Sequence, residues 1–243
     1  MADDTGPNSP VARRDFLLGA GTAVAAGLAT DNAAQAQAPA SGSAAAPAAP
    51  AETSARLTLT AAEWDFIVAA VDTLIPKDDL SPSASECGVA TFIDRELAGA
   101  YGAGARMYRS GPFRKGKPEQ GYQLPLTPRE FFAAGIVATN AWTAKKFGKE
   151  FDRLSAKERE DALKALDQGK AELDNFDGKQ FFEALLTITM EGFFADPIYG
   201  GNRDKAGWKM VGYPGLPAVY STLIDQYRNR RYVVEPQSIA DFS

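Results

Sequence analysis

Glu191, Asp196 and Asp204 are the acidic residues whose spacing could bring carboxylates together beside one loop. A carboxylate pair can perform glycoside hydrolysis, and carboxylates can bind Ca²⁺. Their spacing matches no calcium loop. A structural use competes with both: Asp196 can cap a turn through its side chain, and Asp204 can pair with Arg203 or Lys205. Composition excludes much of the rest. The chain has 243 residues and no histidine. That rules out Ser-His-Asp and Cys-His catalysis and removes the commonest metal ligand and the usual general base. The single cysteine, Cys87, cannot hold an iron–sulfur cluster, and there is no Cys-x-x-Cys-His for a c-type haem. Gly102-Ala103-Gly104 lacks the preceding strand and the third glycine of a dinucleotide-binding turn. On this reading the chain has no catalytic residue, no cofactor and no metal of its own.

The elements that carry these residues begin after a leader. Arg13-Arg14-Asp15-Phe16-Leu17-Leu18 matches the twin-arginine export pattern, with Arg13, Arg14, Phe16 and Leu17 as its core. A short Ala- and Gly-rich apolar run follows, then the small-x-small cleavage sites Ala34-Gln35-Ala36 and Ala36-Gln37-Ala38. Residues 1–38 are therefore expected to be a signal peptide, with an uncleaved anchor as the alternative. The run falls short of the roughly 20 apolar residues a membrane span needs. Residues 39–56 are mostly Ala, Pro and Ser with one Gly, the composition of a flexible linker. The formal charge of −5 offers no basic surface for nucleic acid. In an oxidising compartment Cys87 is either a buried inert thiol or a bond to another chain; the expectation is an intersubunit disulfide.

Residues 57–243 read as one all-α domain of five or six helices with two long ordered loops. Thr60/Glu63, Thr127/Glu130 (with Pro128) and Ser155/Glu158 are capping boxes that open helices. Inner faces follow at helical spacing: Ile67 and Val71, then Phe132, Ile136 and Thr139, then Leu163 and Leu166. A helix from about Val89 to Ala100 buries Phe92, Ile93 and Leu97 and leaves Asp94-Arg95-Glu96 solvated. The helix after Asp177 is apolar on most of its surface, including Leu186 and Met190, and is expected to be central. A short helix is expected between Ala218 and Arg228. The first long loop, Tyr101–Gly121, is locally positive through Arg106, Arg109, Arg114, Lys115 and Lys117. The second, Phe193–Gly215, carries five glycines, two prolines and several aromatics. A loop of this length is functional or disordered, and the aromatics argue for order.

The second loop reads ADPIYGGNRDKAGW over residues 195–208, then GYPG at 212–215. Together with Leu74-Ile75-Pro76, Gly88-Val89-Ala90-Thr91-Phe92-Ile93-Asp94, Tyr101-Gly102-Ala103-Gly104-Ala105-Arg106 and Gly111-Pro112-Phe113, it resembles the gluconate 2-dehydrogenase subunit 3 family. These are small subunits of FAD-dependent sugar and sugar-acid dehydrogenases of the bacterial periplasm. Residues 127–177 are similar only in helical character. The resemblance implies a non-catalytic subunit that supports folding and twin-arginine export of a large FAD-containing flavoprotein of the glucose-methanol-choline type. FAD would belong to that partner, and haem c to a possible cytochrome c subunit. Location would be the periplasm, with membrane association through the complex. Aromatic and Arg side chains concentrate binding energy at interfaces, so Tyr199, Arg203, Trp208 and Tyr213 are the expected contacts. Two alternatives stand beside this reading. One is a periplasmic enzyme using Glu191, Asp196 and Asp204. The other is a sugar-acid binding protein with Trp208 as stacking platform and Arg203 as clamp.

Overall fold

Local chemistry starts each of the long helices in the computed structural model, which describes residues 55–242 except 115, 118, 119 and 218. The twin-arginine segment and residues 39–54 lie outside the described residues. Helix α1 (Ala61–Leu74) opens on a reciprocal box: Thr60 N–H donates to Glu63 at 2.8 Å, and Glu63 N–H donates to Thr60 Oγ1 at 3.3 Å. The same box, on Thr127 and Glu130 with Pro128 at the first position, opens α3 (Pro128–Phe147). Ser155 and Glu158 open α4 (Ala156–Asp167). Asp177 caps α5 (Gly178–Phe194) by accepting from the N–H groups of Lys179 and Gln180. Each such cap is worth about 1 kcal/mol. Helix α2 (Val89–Ala98) differs, because its N-cap is Gly88 at φ 82° with no side-chain cap.

These five helices pack around a phenylalanine core. Phe66, Phe131, Phe132, Phe151, Phe181 and Phe193 are all fully buried. Phe181 on α5 sits within 6.3 Å, ring centre to ring centre, of Phe66, Phe131, Phe132 and Phe176. Burying each such ring stabilises the fold by roughly 1.5–3 kcal/mol before entropy. Helix α5 is central, as its sequence predicts, and packs on α1, α2, α3 and α4. Its apolar surface is wider than the site that receives it. Leu186 and Met190 remain exposed instead of joining the core. Among the described residues two short helices complete the count, α6 (Ala206–Val211) and α7 (Ile224–Tyr227). Helix α6 lies within the second loop, which the sequence reading treats as irregular. Helix α7 and the 3₁₀ turn before it occupy the region expected to form a short helix.

Asp94 corrects the expected solvated face of α2. It is 3 % exposed, and its carboxylate accepts from three successive backbone N–H groups: Leu57 at 2.6 Å, Thr58 at 3.0 Å and Leu59 at 2.8 Å. The segment entering α1 is thus fastened to the middle of α2 by one side chain. Hydrogen bonds to a charged group are worth about 1.5–3 kcal/mol, and buried donors left unpaired add to the loss. Asp94→Ala is expected to lower unfolding free energy in urea by about 3 kcal/mol. A change under about 0.5 kcal/mol, typical of exposed substitutions, would count against this fastening.

Candidate interaction site at the end of α5

The last carbonyls of a helix have no partner within it, and α5 ends against the rest of the protein. The second loop returns to cover it. The Trp208 indole Nε1–H donates to Phe194 O at 2.7 Å. Asn202 Nδ2–H donates to Ala195 O at 2.8 Å, and Asn202 Oδ1 accepts from Gly207 N–H at 2.8 Å. Asn202 is completely buried and stands at φ 47°, in the left-handed region that Asn tolerates better than most residues. Gly201 lies so close to Gly192 O that a β-carbon would collide with it.

A second set of bonds ties the loop to the start of α2. Arg203 N–H donates to Cys87 O at 2.9 Å, and its Nη1 donates to Glu86 O at 3.1 Å. Gly88 faces Gly200 O at a spacing that leaves no room for a side chain. A third set holds the described residues of 216–242, an arm that doubles back over the loop. Lys205 Nζ donates to Pro236 O at 2.9 Å and to Asp241 at 2.5 Å. Asp196 accepts from Ile198 N–H at 3.0 Å and from Ile239 N–H at 2.9 Å. Gly215 and Gln237 form a parallel bridge, with Leu216 N–H on Gln237 O at 2.8 Å and Gln237 N–H on Pro214 O at 3.0 Å.

The three carboxylates of the enzymatic alternative are not brought together. Glu191 faces a hollow beside Tyr101, where burial and then the charge of Glu96 push its carboxyl above the usual range. Asp196 is engaged as a turn cap, as its sequence position predicts. Asp204 is exposed at φ 57°, and Lys205, one of its expected partners, pairs with Asp241. Among the described residues no cluster of three acidic, Cys or His side chains could hold a metal ion.

Of the four expected contact residues, Tyr199 and Tyr213 are exposed, and Arg203 is exposed while bonded to the turn before α2. Trp208 is 6 % exposed, and its ring packs edge-on against Tyr213 at 5.2 Å. Its indole holds the helix end, so it is unavailable as a stacking platform. Cys87 belongs to the core at 1 % exposure, and burial pushes its thiol up. Asn202 and the Lys205–Asp241 pair escape the sequence reading. A Gly-Gly-Asn run favouring positive φ is the only local signal for the first. The exposed apolar side chains Ile198, Met210 and Val211 join Tyr199 and Tyr213 on the outer side of the loop and α6.

A helical domain whose last long helix is finished by a returning Gly- and aromatic-rich loop defines the class. The description of gluconate 2-dehydrogenase subunit 3 matches residues 61–215, and the chain belongs to that family. The match runs from the first residue of α1 to Gly215, so the arm lies beyond it. No curated protein and no solved structure matches the chain. The family's description is that of a subunit in a dehydrogenase of several subunits. No helix among the described residues is long and apolar enough to cross a membrane.

Two outcomes are expected. Cys87 should react slowly with a maleimide in the native protein and fast in denaturant, read by mass; equal rates would contradict its burial. The Asp241 carboxyl is lowered from an ordinary 3.8 to about 2, first by the Lys205 ammonium and then by Ser238 N–H. A carboxyl depressed on folding stabilises above its unfolded value and loses that effect as pH falls through its folded one. Pepsin should therefore cleave the arm equally in wild type and Asp241→Asn at pH of about 2, but faster in the variant at pH of about 5. Equal cleavage at both values would dismiss the latch.

Proposed function

We propose that this chain is the accessory small subunit of an FAD-dependent dehydrogenase that oxidises a CH–OH group of a sugar or sugar acid. It contributes a scaffold and an export signal, and the partner contributes the oxidation. One observation carries the reading. In the second loop Asp196, Asn202, Arg203, Lys205 and the Trp208 indole are spent on internal fastening, while Ile198, Tyr199 and Tyr213 are left exposed on a rigid base. That is the organisation of a preformed docking surface, since rigid aromatic anchors lose little entropy on binding.

The large partner is a glucose-methanol-choline-type flavoprotein holding FAD. A cytochrome c subunit with haem c passes electrons on and attaches the complex to the membrane. Arg13-Arg14 directs the folded pair through the twin-arginine translocase into the periplasm, so this chain also acts as an export chaperone. Cys87, buried as it is, takes part as a core thiol rather than as a bond between subunits. The carboxylate enzyme and the Trp208-based sugar-acid binder gain no support from the geometry above.

The test is expression of the chain with and without the large flavoprotein subunit. Dye-linked sugar oxidation is expected only when both are present. Replacing Arg13-Arg14 by Lys-Lys should leave the partner's activity in the cytoplasm. Turnover by this chain alone, or periplasmic partner activity despite the substitution, would overturn the reading.

A further inference from the structure

Away from the capped end of α5, a hollow of about 500 Å³ opens between the end of α2, the turns at 100–107 and Tyr122. Tyr101, Met107, Tyr122 and Pro128 wall it, and Glu96 and Arg106 supply its charges. A second hollow shares Tyr101 and Tyr122 and adds Gln180 and Glu191 from α5. The two tyrosines are thus a common wall with a carboxylate on each side. Tyr122 is held in place: its ring stacks on Phe131 at 4.0 Å and its hydroxyl donates to Met107 Sδ at 3.6 Å. Tyr101 is 45 % exposed and open to a visitor.

Charge decides which visitor fits. Neither Glu96 nor Glu191 has a side-chain hydrogen bond or ion pair among the described residues. Among the described residues nearby, Glu130 is engaged in the α3 cap and Glu183 with Lys179 at 4.0 Å. Arg106 lines the first hollow without reaching ion-pair distance of Glu96. Burial and then these two carboxylates push Tyr101 up, and burial, followed by Tyr101 and Glu130 and opposed by Arg109, raises Tyr122 to about 12. Glu96 faces Arg106 across the first hollow, while the second carries Glu183 and Glu191 with no base in its wall, so the double hollow holds more acid than base and is aromatic. A sugar acid would find one cation, Arg106, against the glutamates of the two walls. An apolar side chain would strip them of water with nothing in return. A metal ion lacks a third ligand. A guanidinium fits each demand: it stacks on a tyrosine face and pairs with carboxylates through two parallel hydrogen bonds.

We infer that this double hollow is a socket for an arginine side chain presented by the partner dehydrogenase subunit, stacked against the wall of Tyr101 and Tyr122 and paired with the carboxylates of Glu96 and Glu191 that flank it. The inference rests on the accessory-subunit reading and deepens it by placing one contact on the face of Tyr101, beside Glu191 in the last turn of α5.

Two measurements test it. The first is titration of the chain onto its large subunit at several salt concentrations. Glu96→Gln/Glu191→Gln should weaken binding at least tenfold and flatten the salt dependence, with an unchanged or raised melting temperature. Unchanged affinity and salt slope would overturn the socket while leaving the subunit reading intact. The second uses the isolated chain with argininamide, followed by NMR shifts at Tyr101, Met107 and Tyr122. Shifts are expected in wild type and not in the double variant. Their absence in wild type, or larger shifts with gluconate, would overturn the socket. Failure of the wild-type chain to bind the large subunit would instead count against the subunit reading, and the argininamide titration would still judge the socket.

Discussion

The carbonyl oxygens at the end of α5 set the constraint that organises the second half of this protein. Helix α5 is the central element of the core, and it stops where solvent cannot reach all of its last turn. Phe194 O and Ala195 O must find donors within the protein, because an unpaired buried carbonyl carries a desolvation penalty. The indole of Trp208 and the amide of Asn202 supply them. Both donors lie further along the chain, so the chain must turn back sharply. That return explains the paired glycines, the left-handed Asn202 and the short α6. The second loop is, in physical terms, a helix cap assembled from a distance.

A cap of this kind is stiff, and its stiffness is what makes an outer surface usable. Arg203 binds the loop to the carbonyls before α2, and Asp196 and Lys205 bind the arm to the loop. Side chains on the inner side are consumed by these bonds. Those on the outer side, Tyr199, Tyr213, Met210 and Val211, have no comparable duty. Polar fastening within and aromatic display without are two faces of one backbone path. The socket walled by Tyr101 and Tyr122 follows the same plan, with Tyr122 locked by Phe131 and Tyr101 exposed.

The parts of this architecture that were legible in the sequence are those whose causes are local. The boxes at Thr60/Glu63, Thr127/Glu130 and Ser155/Glu158 close within four residues, so their helix starts are written in adjacent letters. The buried stripe Phe132, Ile136, Thr139 and Thr143 shows itself by period alone. Asp94 does not, because its three donors are 35 to 37 residues away and its neighbours Arg95 and Glu96 read as surface. Trp208 and Cys87 are hidden for the same reason: only the folded path tells an interior aromatic or thiol from a displayed one. Helix α6 was obscured by its approach, since Asn202, Asp204 and Lys205 all take positive φ just before it. Leu186 and Met190 show the opposite failure, in which periodicity promises burial that no neighbouring element arrives to provide.

Asp196, Lys205 and the backbone at Pro214 and Gly215, which anchor the arm, are all furnished by the loop. A hierarchy of dependence follows. The berth of the arm is made by the loop, and the path of the loop by the end of α5, so a change that loosens the loop also unseats whatever leans on it, while a change in the arm leaves the helical core its own contacts.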